Sequence, residues 1–214
     1  MPRVVLFNKP CGVICQFSAS GGKRTLKDFV PITGIYPAGR LDADSEGLLI
    51  LTEDGALQNT ISHPARKWPK SYWVQVENIP DEAALRRLRT GLDLGDFVTA
   101  RARVDPIAEP PGLWPRTPPI RLRKSIPTSW LEIEISEGKN RQVRRMTAAA
   151  GFPTLRLIRH RIGHWSLAGL DSGEYRVLPA EEMKLWCERP GCNQICQPAM
   201  AAGVKGVTPS LCHL

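Results

Sequence analysis

The alternation of apolar and polar residues constrains the fold of this chain more than any other feature of the sequence. A period of two is the spacing of a strand that buries one face, and it occurs over residues 71–76, 98–104 and 129–135. Two short apolar runs, over residues 4–7 and 48–51, indicate strands that are buried on both faces. These segments predict a fold built mainly on strands.

Helical spacing is confined to two segments. Residues 81–90 lie between a start signal at Asp81 and a stop signal at Gly91, and a second helix is predicted over 140–150 with Asn140 as its N-cap. Because strands outnumber helices and do not alternate with them regularly, the sequence predicts an α+β fold: a mixed, mainly antiparallel sheet with flanking helices.

The length of 214 residues fits one domain, which we expect over residues 1–179, with a C-terminal extension over 180–214. From about residue 190 the extension has no periodicity and is rich in Gly and Pro, so it is predicted to be poorly ordered. The proline-rich stretch 106–127 predicts an ordered or RNA-facing loop.

The sequence has neither the apolar run of about 20 residues that a membrane helix needs nor the apolar start of a signal peptide. We therefore expect a soluble, monomeric, cytoplasmic protein with reduced cysteines. A zinc site could be sought in the tail, but the cysteine spacing differs from that of structural zinc motifs, so no metal is predicted there. The candidate ligands are Cys187, Cys192, Cys196, Cys212 and His213.

The formal charge of +8 is unevenly distributed. The last 35 residues are neutral, and the segment 139–161 has no acidic residue. Such a run is expected of a surface that binds nucleic-acid phosphates, although it also occurs on solvated protein faces. The basic residues of this segment are Lys139, Arg141, Arg144, Arg145, Arg156, Arg159 and Arg161.

An acidic loop lies directly ahead of one predicted buried strand. The stretch 39–55 reads GRLDADSEGLLILTEDG and places Asp42, Asp44 and Glu46 within five residues. Carboxylates on such a loop serve as bases, nucleophiles or metal ligands, or they form a solvated turn. In a chain that gathers positive charge, an acidic loop beside phosphates weakens binding, which favours a role in a reaction.

Three blocks of this sequence resemble a known family. The run GRLDADSEGLLILTEDG, then KSYWVQV, then EGKNRQVRRM with GFPTLRLIRHRIG resembles the pseudouridine synthases of the small-subunit type, which modify ribosomal RNA. The resemblance covers about residues 3–179. Because the chain opens at VVLFNKP, without an S4-type RNA-binding domain ahead of it, and contains PPIRLRKSIPTSWLEI, it is most similar to members that act on large-subunit ribosomal RNA.

The resemblance implies that residues 1–179 are a catalytic domain that converts uridine to pseudouridine without metal or cofactor. In such enzymes the base is detached from C1′ of the ribose, turned over and reattached through C5. Asp42 matches the catalytic aspartate, which either attacks C1′ or takes a proton from C2′, and the sequence does not choose between these routes. Both need an ionised carboxylate, which a neighbouring cation favours. Arg144 matches the arginine that pairs with the aspartate.

The resemblance also implies RNA-facing roles for other residues. Tyr72 matches a tyrosine expected to stack on the target base, which must replace the stacking it loses on leaving the RNA. From the residues alone, an ordinary ring of a core strand is the preferred interpretation of Tyr72. Arg40 resembles an arginine that helps to open the stack, with a plain surface arginine as the alternative. The remaining cations of 139–161 are predicted phosphate contacts: Lys139, Arg141, Arg145, Arg156, Arg159 and Arg161.

Three alternatives stay open at this point. Asp42 and Asp44 could hold Mg²⁺ with Glu46, but the family uses no metal and a structural role for Asp44 and Glu46 is preferred. A catalytically idle RNA-binding factor would lack the aspartate that is present here. A glycosidase with Asp42 and Asp44 as paired carboxylates would call for aromatic sugar platforms rather than clustered cations.

Overall fold

The computed structural model describes residues 3–63, 68–121 and 123–179, together with residue 182. The chain divides into two units, Met1–Leu178 and Pro179–Leu214. The predicted C-terminal extension, with its cysteines, falls almost entirely outside the described residues. Within the described ranges, no helix has both the length and the apolar character to cross a membrane.

In its described residues, the first unit is a sheet with three α-helices and one short 3-10 helix, Leu26–Asp28. The α-helices are α1 (Gly55–Ser62), α2 (Glu82–Thr90) and α3 (Gln142–Ala149). The strands are β1 (Val4–Lys9), β2 (Tyr36–Pro37), β3 (Glu46–Thr52), β4 (Lys70–Glu77), β5 (Arg103–Ile107), β6 (Thr128–Ile135), β7 (Thr154–Ile162), β8 (Trp165–Ser166) and β9 (Tyr175–Val177).

The strands lie in the order β5-β6-β4-β7-β3-β1-β9, with β2 paired to β3 and β8 paired to β7. Neighbouring strands are antiparallel except β3 and β7, which are parallel. The predicted α+β class with a mixed, mainly antiparallel sheet is therefore confirmed. The parallel pair brings the chain that precedes β3 beside β7, and this is where the acidic loop lies.

Two apolar clusters hold the sheet and its helices together. One packs β4 and β6 against α2 and α3 and includes Val74, Leu131, Leu88 and Met146. The other lies around β1 and β3 and includes Phe7, Leu49 and Leu26. Each fully buried Leu, Val, Phe or Met side chain contributes about 1.5–3 kcal/mol, so both clusters stabilise the fold substantially.

One predicted strand is misplaced. The sequence predicts a strand over residues 98–104, but the strand that forms is Arg103–Ile107. Val98 takes part only in an isolated bridge to Asp93. The chain before β5 instead folds back on itself, with the Thr99 N–H donating to the Leu92 carbonyl at 2.9 Å. Val98 is 67% exposed, so its alternation with polar neighbours does not mark a buried face.

The helix predictions are close, but the sequence analysis missed several elements, of which α1 and β7 are the longest. Helix α2 begins after Asp81, whose carboxylate accepts from the Ala84 N–H at 2.8 Å. Helix α3 has Arg141 rather than Asn140 as its N-cap, in a left-handed conformation with φ 48°. The sequence reasoning did not predict α1, although Asp54 caps it, nor the long central strand β7.

Candidate active site

The loop that carries Asp42 is fixed where β3 meets β7. The Ser45 N–H donates to the Asp42 carbonyl at 3.1 Å, which closes a turn just before the strand. Gly47 then adopts φ +105°, and a Cβ on it would lie 2.8 Å from the backbone nitrogen of Arg159. Only glycine combines this conformation with such a close approach, so the loop is anchored directly to the neighbouring strand.

A cleft of about 540 Å³ opens beside Asp42, a volume within the usual range for ligand sites. Segments 38–45, β4, β7 and 138–143 all contribute to its walls. The apolar residues of its lining include Ile135, Val143, Leu157 and Ile162. Six of the predicted site residues line it: Arg40, Asp42, Tyr72, Lys139, Arg141 and Arg159.

Arg141 is the cation that reaches the Asp42 carboxylate. Its Nη1 lies 3.3 Å from Asp42 Oδ2, and it also donates to both oxygens of Asp44, at 3.2 Å and 2.9 Å. These hydrogen bonds to Asp44 are the main reason why the pKa of Arg141 is raised. One guanidinium at the start of α3 therefore joins both aspartates of the loop.

The pairing predicted between Arg144 and Asp42 is not found among the described residues. Arg144 donates to the Asp44 carbonyl at 2.9 Å, and its Nε lies 3.5 Å from Asp44 Oδ2. Arg141 and Arg144 are three residues apart, so both face the loop from the first turn of α3, and Arg141 is the one that projects to Asp42. Arg144 lies deeper, with its side chain 13% exposed.

Asp44 is held in its ionised form by these two arginines. Partial burial alone raises the pKa of this carboxyl, but the hydrogen bond from Arg141 and the charges of Arg144 and Arg141 outweigh it, so the pKa lies below its usual value. Asp44 thus works as an anchor for both guanidinium groups. With Arg141 shared between them, Asp42 and Asp44 do not form the free pair of carboxylates that a glycosidase needs.

Tyr72 belongs both to the core and to the cleft. Its side chain is 7% exposed and packs in the cluster that contains Val143 and Leu157. The same residue lines the cleft together with Asp42. The two interpretations of Tyr72 are therefore compatible, since a ring fixed in the core offers a rigid surface to a base entering the cleft.

Lys70 lines the same cleft, and the sequence reasoning missed it. It comes two residues before Tyr72 on β4, and its Nζ donates to the Trp68 carbonyl at 3.0 Å. Burial, aided by the positive charge of Arg159, lowers the pKa of Lys70 to about 8. The sequence does contain a signal for Lys70: in the alternating block KSYWVQV it lies two positions before Tyr72, so the two side chains are expected on the same face of the strand.

Arg156 does not lie on a phosphate-binding surface. It is 8% exposed, and its Nε and Nη2 donate to the two oxygens of Glu46, both at 2.9 Å. Trp114 Nε1 also donates to Glu46, at 2.7 Å, and Arg116 lies 3.4 Å from it. The predicted contact of Arg156 with RNA is therefore corrected to a buried ion pair that ties β7 to β3 and to the proline-rich segment.

Arg159 is likewise an internal residue, being 4% exposed and donating to the carbonyls of Leu48 and Arg40. The strand on which it lies is central and its fixed partners are backbone oxygens, but Arg159 also lines the cleft. Arg159 therefore does not lie on an exposed basic surface, and its contact with an RNA phosphate stays a prediction.

The other basic residues of the predicted site differ in how many contacts they make within the fold. Arg145 pairs with Asp96 and lies over the ring of Phe97. Arg161 donates to Glu134 at 2.9 Å and to Ser71 at 3.2 Å. Lys139 lies over the same Phe97 ring at 4.5 Å and also lines the cleft. Arg40, which is exposed, also belongs to the cleft wall.

In the part of the chain that the structure describes, no group of three or more His, Cys, Asp or Glu side chains is arranged to hold a metal ion. Asp42 and Asp44 are bound by guanidinium groups, and Glu46 is turned into the protein. These acids are thus engaged by protein cations rather than gathered around one point.

Comparison with known proteins gives consistent matches. The model of the RNA pseudouridylate synthase family matches residues 3–149. Ribosomal large subunit pseudouridine synthase E of Vibrio vulnificus is 52% identical over 176 residues, 82% of this chain and 75% of that protein. The protein of the same name from Xanthomonas campestris is 52% identical over 183 residues, 85% of this chain and 98% of that protein. A crystal structure of a pseudouridylate synthase superposes with a TM-score of 0.69 at 27% identity, covering 86% of this chain and 73% of that chain.

Proposed function

The chain belongs to the RNA pseudouridylate synthase family, and we propose that it isomerises a specific uridine of large-subunit ribosomal RNA to pseudouridine. The relatives in Vibrio and Xanthomonas are named for the large ribosomal subunit, and they match most of this chain. We further propose that it acts in the cytoplasm, where such an RNA substrate is found, and that it does so as a monomer.

One observation carries the proposal: the carboxylate of Asp42 and the ring of Tyr72 line one cleft, and Arg141 holds the carboxylate at its wall. An extruded uracil needs a flat surface to replace its lost stacking, and Tyr72 offers one that is fixed by the core. Asp42 is then beside the ribose of the same nucleotide. The anchored loop keeps this geometry before RNA arrives.

In the proposed reaction Asp42 acts as a carboxylate by one of two routes. It attacks C1′ and forms an ester as the C1′–N1 bond breaks, or it removes a proton from C2′ and leaves a glycal. Either way the electron pair of the broken bond stays on the uracil, which turns over and bonds to C1′ through C5. In the first route this bond displaces the carboxylate of Asp42 from C1′, and in the second the proton held by Asp42 returns to C2′ as C5 adds to the glycal. Loss of the proton from C5 and gain of a proton at N1 then give the neutral base. Arg141 donates to Asp42 Oδ2 at 3.3 Å and so orients the carboxylate at the start.

The other predicted residues divide into two groups in this proposal. Arg40 and Lys139 line the cleft and are assigned to the RNA phosphates. Arg144 is assigned a positioning role, because its contacts are with Asp44 and not with the cleft. Arg145 and Arg161, which have acidic partners within the fold, are assigned to RNA binding only at the edge of the footprint.

The direct test is Asp42→Asn, which keeps the shape of the side chain and removes its charge. We expect it to abolish pseudouridine formation in a large-subunit RNA transcript, measured by mass spectrometry of the digested RNA, while the Kd for the RNA changes by no more than about twofold. Glu109→Gln removes an exposed carboxylate from outside the cleft and is the matched control. Normal turnover by the Asp42→Asn variant would overturn the assignment, and release of free uracil by the wild type would indicate hydrolysis instead.

A further inference from the structure

Lys70 is a charged residue of the cleft for which the reaction described above has no role. Alternate residues of a strand point to the same face, and Lys70 and Tyr72 both line the cleft that holds Asp42. Residues two positions apart on a strand are separated by about 6.6 Å, which a lysine side chain can span. The ammonium of Lys70 is thus within reach of a base stacked on Tyr72.

The surroundings of Lys70 are rich in N–H donors and poor in acceptors. Its ammonium has three hydrogens, and one of them is donated to the Trp68 carbonyl. Within residues 3–63, 68–121 and 123–179, no carboxylate lies at ion-pair distance from it. Nearby, Arg159 Nη2 is buried and has no hydrogen-bond partner in the same described ranges. An unpaired cation that is partly buried is costly, and such residues are characteristic of functional sites.

The acceptor that this region lacks is therefore expected to come from the ligand. A nucleotide offers phosphate oxygens and the two carbonyl oxygens of uracil. The apolar lining residues Ile135, Leu157 and Ile162 suit a flat base, whereas the cations Arg40 and Lys139 suit the phosphates. The position of Lys70 next to Tyr72 on β4 favours the base.

We propose that Lys70 is a further catalytic residue, which donates a hydrogen bond from its ammonium to a carbonyl oxygen of the extruded uracil. The inference rests on the proposed function. As the C1′–N1 bond breaks, its electron pair passes to the uracil ring and is shared by the ring nitrogen and the carbonyl oxygens. A charged donor at one of these oxygens strengthens its hydrogen bond as that charge develops, and the ammonium keeps its proton throughout.

The charge state of Lys70 gives this role a pH signature. Burial is the main cause that lowers its pKa to about 8, and the positive charge of Arg159 adds to it. The other charged groups that line the cleft are Arg40, Asp42, Lys139 and Arg141. Since the ammonium is the active form, the rate falls as the pH rises through the pKa of Lys70.

The experiment compares Lys70→Met and Lys70→Arg with the wild type, using single-turnover rate constants at saturating large-subunit RNA transcript, the Kd for that RNA and the melting temperature. Lys70→Met is expected to lower the rate constant by about 100-fold, as does the loss of one charge-stabilising donor in other enzymes. Its Kd stays within about twofold of the wild-type value. Its melting temperature does not fall, because a partly buried ammonium that has no carboxylate partner in the described residues has been removed. Lys27→Met removes an exposed lysine outside the cleft and is the control.

Lys70→Arg keeps the charge at all relevant pH values, so it is expected to retain more activity than Lys70→Met and to lose the fall in rate above about pH 8. An unchanged rate constant in Lys70→Met would overturn the inference, as would a change confined to the Kd, which would assign Lys70 to a phosphate. The inference would also be overturned if the rate constant of Lys70→Arg fell above about pH 8 in the same way as that of the wild type. Absence of pseudouridine with the wild-type protein would contradict the proposed function itself, a different result from any of these.

Discussion

Asp44 organises the charges around the proposed catalytic carboxylate. It accepts two hydrogen bonds from Arg141, and its carbonyl accepts a third from Arg144. The Arg141–Asp42 ion pair is about half exposed, so it contributes little to stability by itself. The ion pair instead orients the carboxylate of Asp42, and the two hydrogen bonds from Arg141 to Asp44 fix the guanidinium in the position that this requires.

Asp44→Asn is predicted to slow the reaction, although Asp44 is not expected to contact the substrate. Loss of one charged partner frees Arg141 from its fixed position, and we expect the single-turnover rate constant to fall by about tenfold, with a Kd for RNA close to that of the wild type. Glu109→Gln again serves as the control. Wild-type rates in Asp44→Asn would show that Arg141 does not depend on Asp44.

The pKa of Asp44 provides a second measure for the same variant. Because this pKa is lower in the folded protein than in the unfolded chain, the stabilisation is complete above the unfolded value and is lost as the pH falls through the folded one. Melting curves should therefore show Asp44→Asn to be less stable than the wild type near neutral pH, with the difference shrinking in acid. A difference that is independent of pH would contradict the ion-pair account of Asp44.

At the scale of elements, the site depends on how β3 is fixed to β7. The two strands are parallel, with Glu46 opposite Ile158 and Gly47 opposite Arg159. Glu46 is 1% exposed and is bonded to Arg156, whose Nη2 also donates to the Trp114 carbonyl. This buried pair joins two strands and the proline-rich segment directly behind the loop of Asp42.

Glu46→Gln is predicted to be strongly destabilising. It leaves the buried guanidinium of Arg156 without its counter-charge, which typically costs about 3–5 kcal/mol. Chemical denaturation would measure this loss. The matched control is Glu53→Gln, which breaks the exposed pair between Arg3 and Glu53, where a change of about 1 kcal/mol or less is expected. Equal effects of the two substitutions would contradict the role given to Glu46.

The elements that sequence patterns predict well are those in which burial follows simple alternation. Strand β4 and helix α2 are of this kind, and both lie close to their predicted bounds. Strand β7 was missed because arginines occupy positions that a buried strand usually gives to apolar residues, and their burial depends on partners far away in the chain, such as Glu46 for Arg156. Hydrophobic periodicity carries no information about such a long-range ion pair.

The same distinction holds for the site. Asp42 and Tyr72 stand in sequence blocks that resemble a family, and both line the cleft. The contact of Arg141 with Asp42 depends on the left-handed start of α3, which no local pattern signals. The environment of Lys70 depends on the packing of β4 between β6 and β7, so its lowered pKa could not be read from the sequence.

For the molecule as a whole, the net charge of +8 is less available to RNA than the sequence suggested. Much of the basic run 139–161 serves the fold: Arg156 and Arg159 are buried, and Arg145 and Arg161 have acidic partners. Lys139 and, outside that run, Arg40 are the cations of the cleft wall that are best placed to meet phosphates. The positive charge is therefore divided between ion pairs that stabilise the domain and cations of the cleft wall that we propose bind the substrate.

The salt dependence of RNA binding tests this division. Replacing Arg40 and Lys139 together by Met should weaken binding and reduce the slope of log K against log salt concentration by about 0.7–0.9 for each phosphate that is no longer neutralised. Replacing the exposed Lys23 and Lys27 by Met removes the same charge from outside the cleft and should leave the slope nearly unchanged. Equal slopes for the two double variants would show that general charge, and not the cleft wall, governs binding.

The central claim is that this chain isomerises a uridine of large-subunit ribosomal RNA and that Asp42 performs the chemistry. It is tested most directly by mapping pseudouridine in ribosomal RNA from cells that lack the protein, supplied with either the wild-type chain or Asp42→Asn. We expect one large-subunit position to lose its pseudouridine in these cells, to regain it with the wild-type chain and not to regain it with Asp42→Asn. Restoration of that position by Asp42→Asn, or an unchanged map in the cells that lack the protein, would contradict the claim.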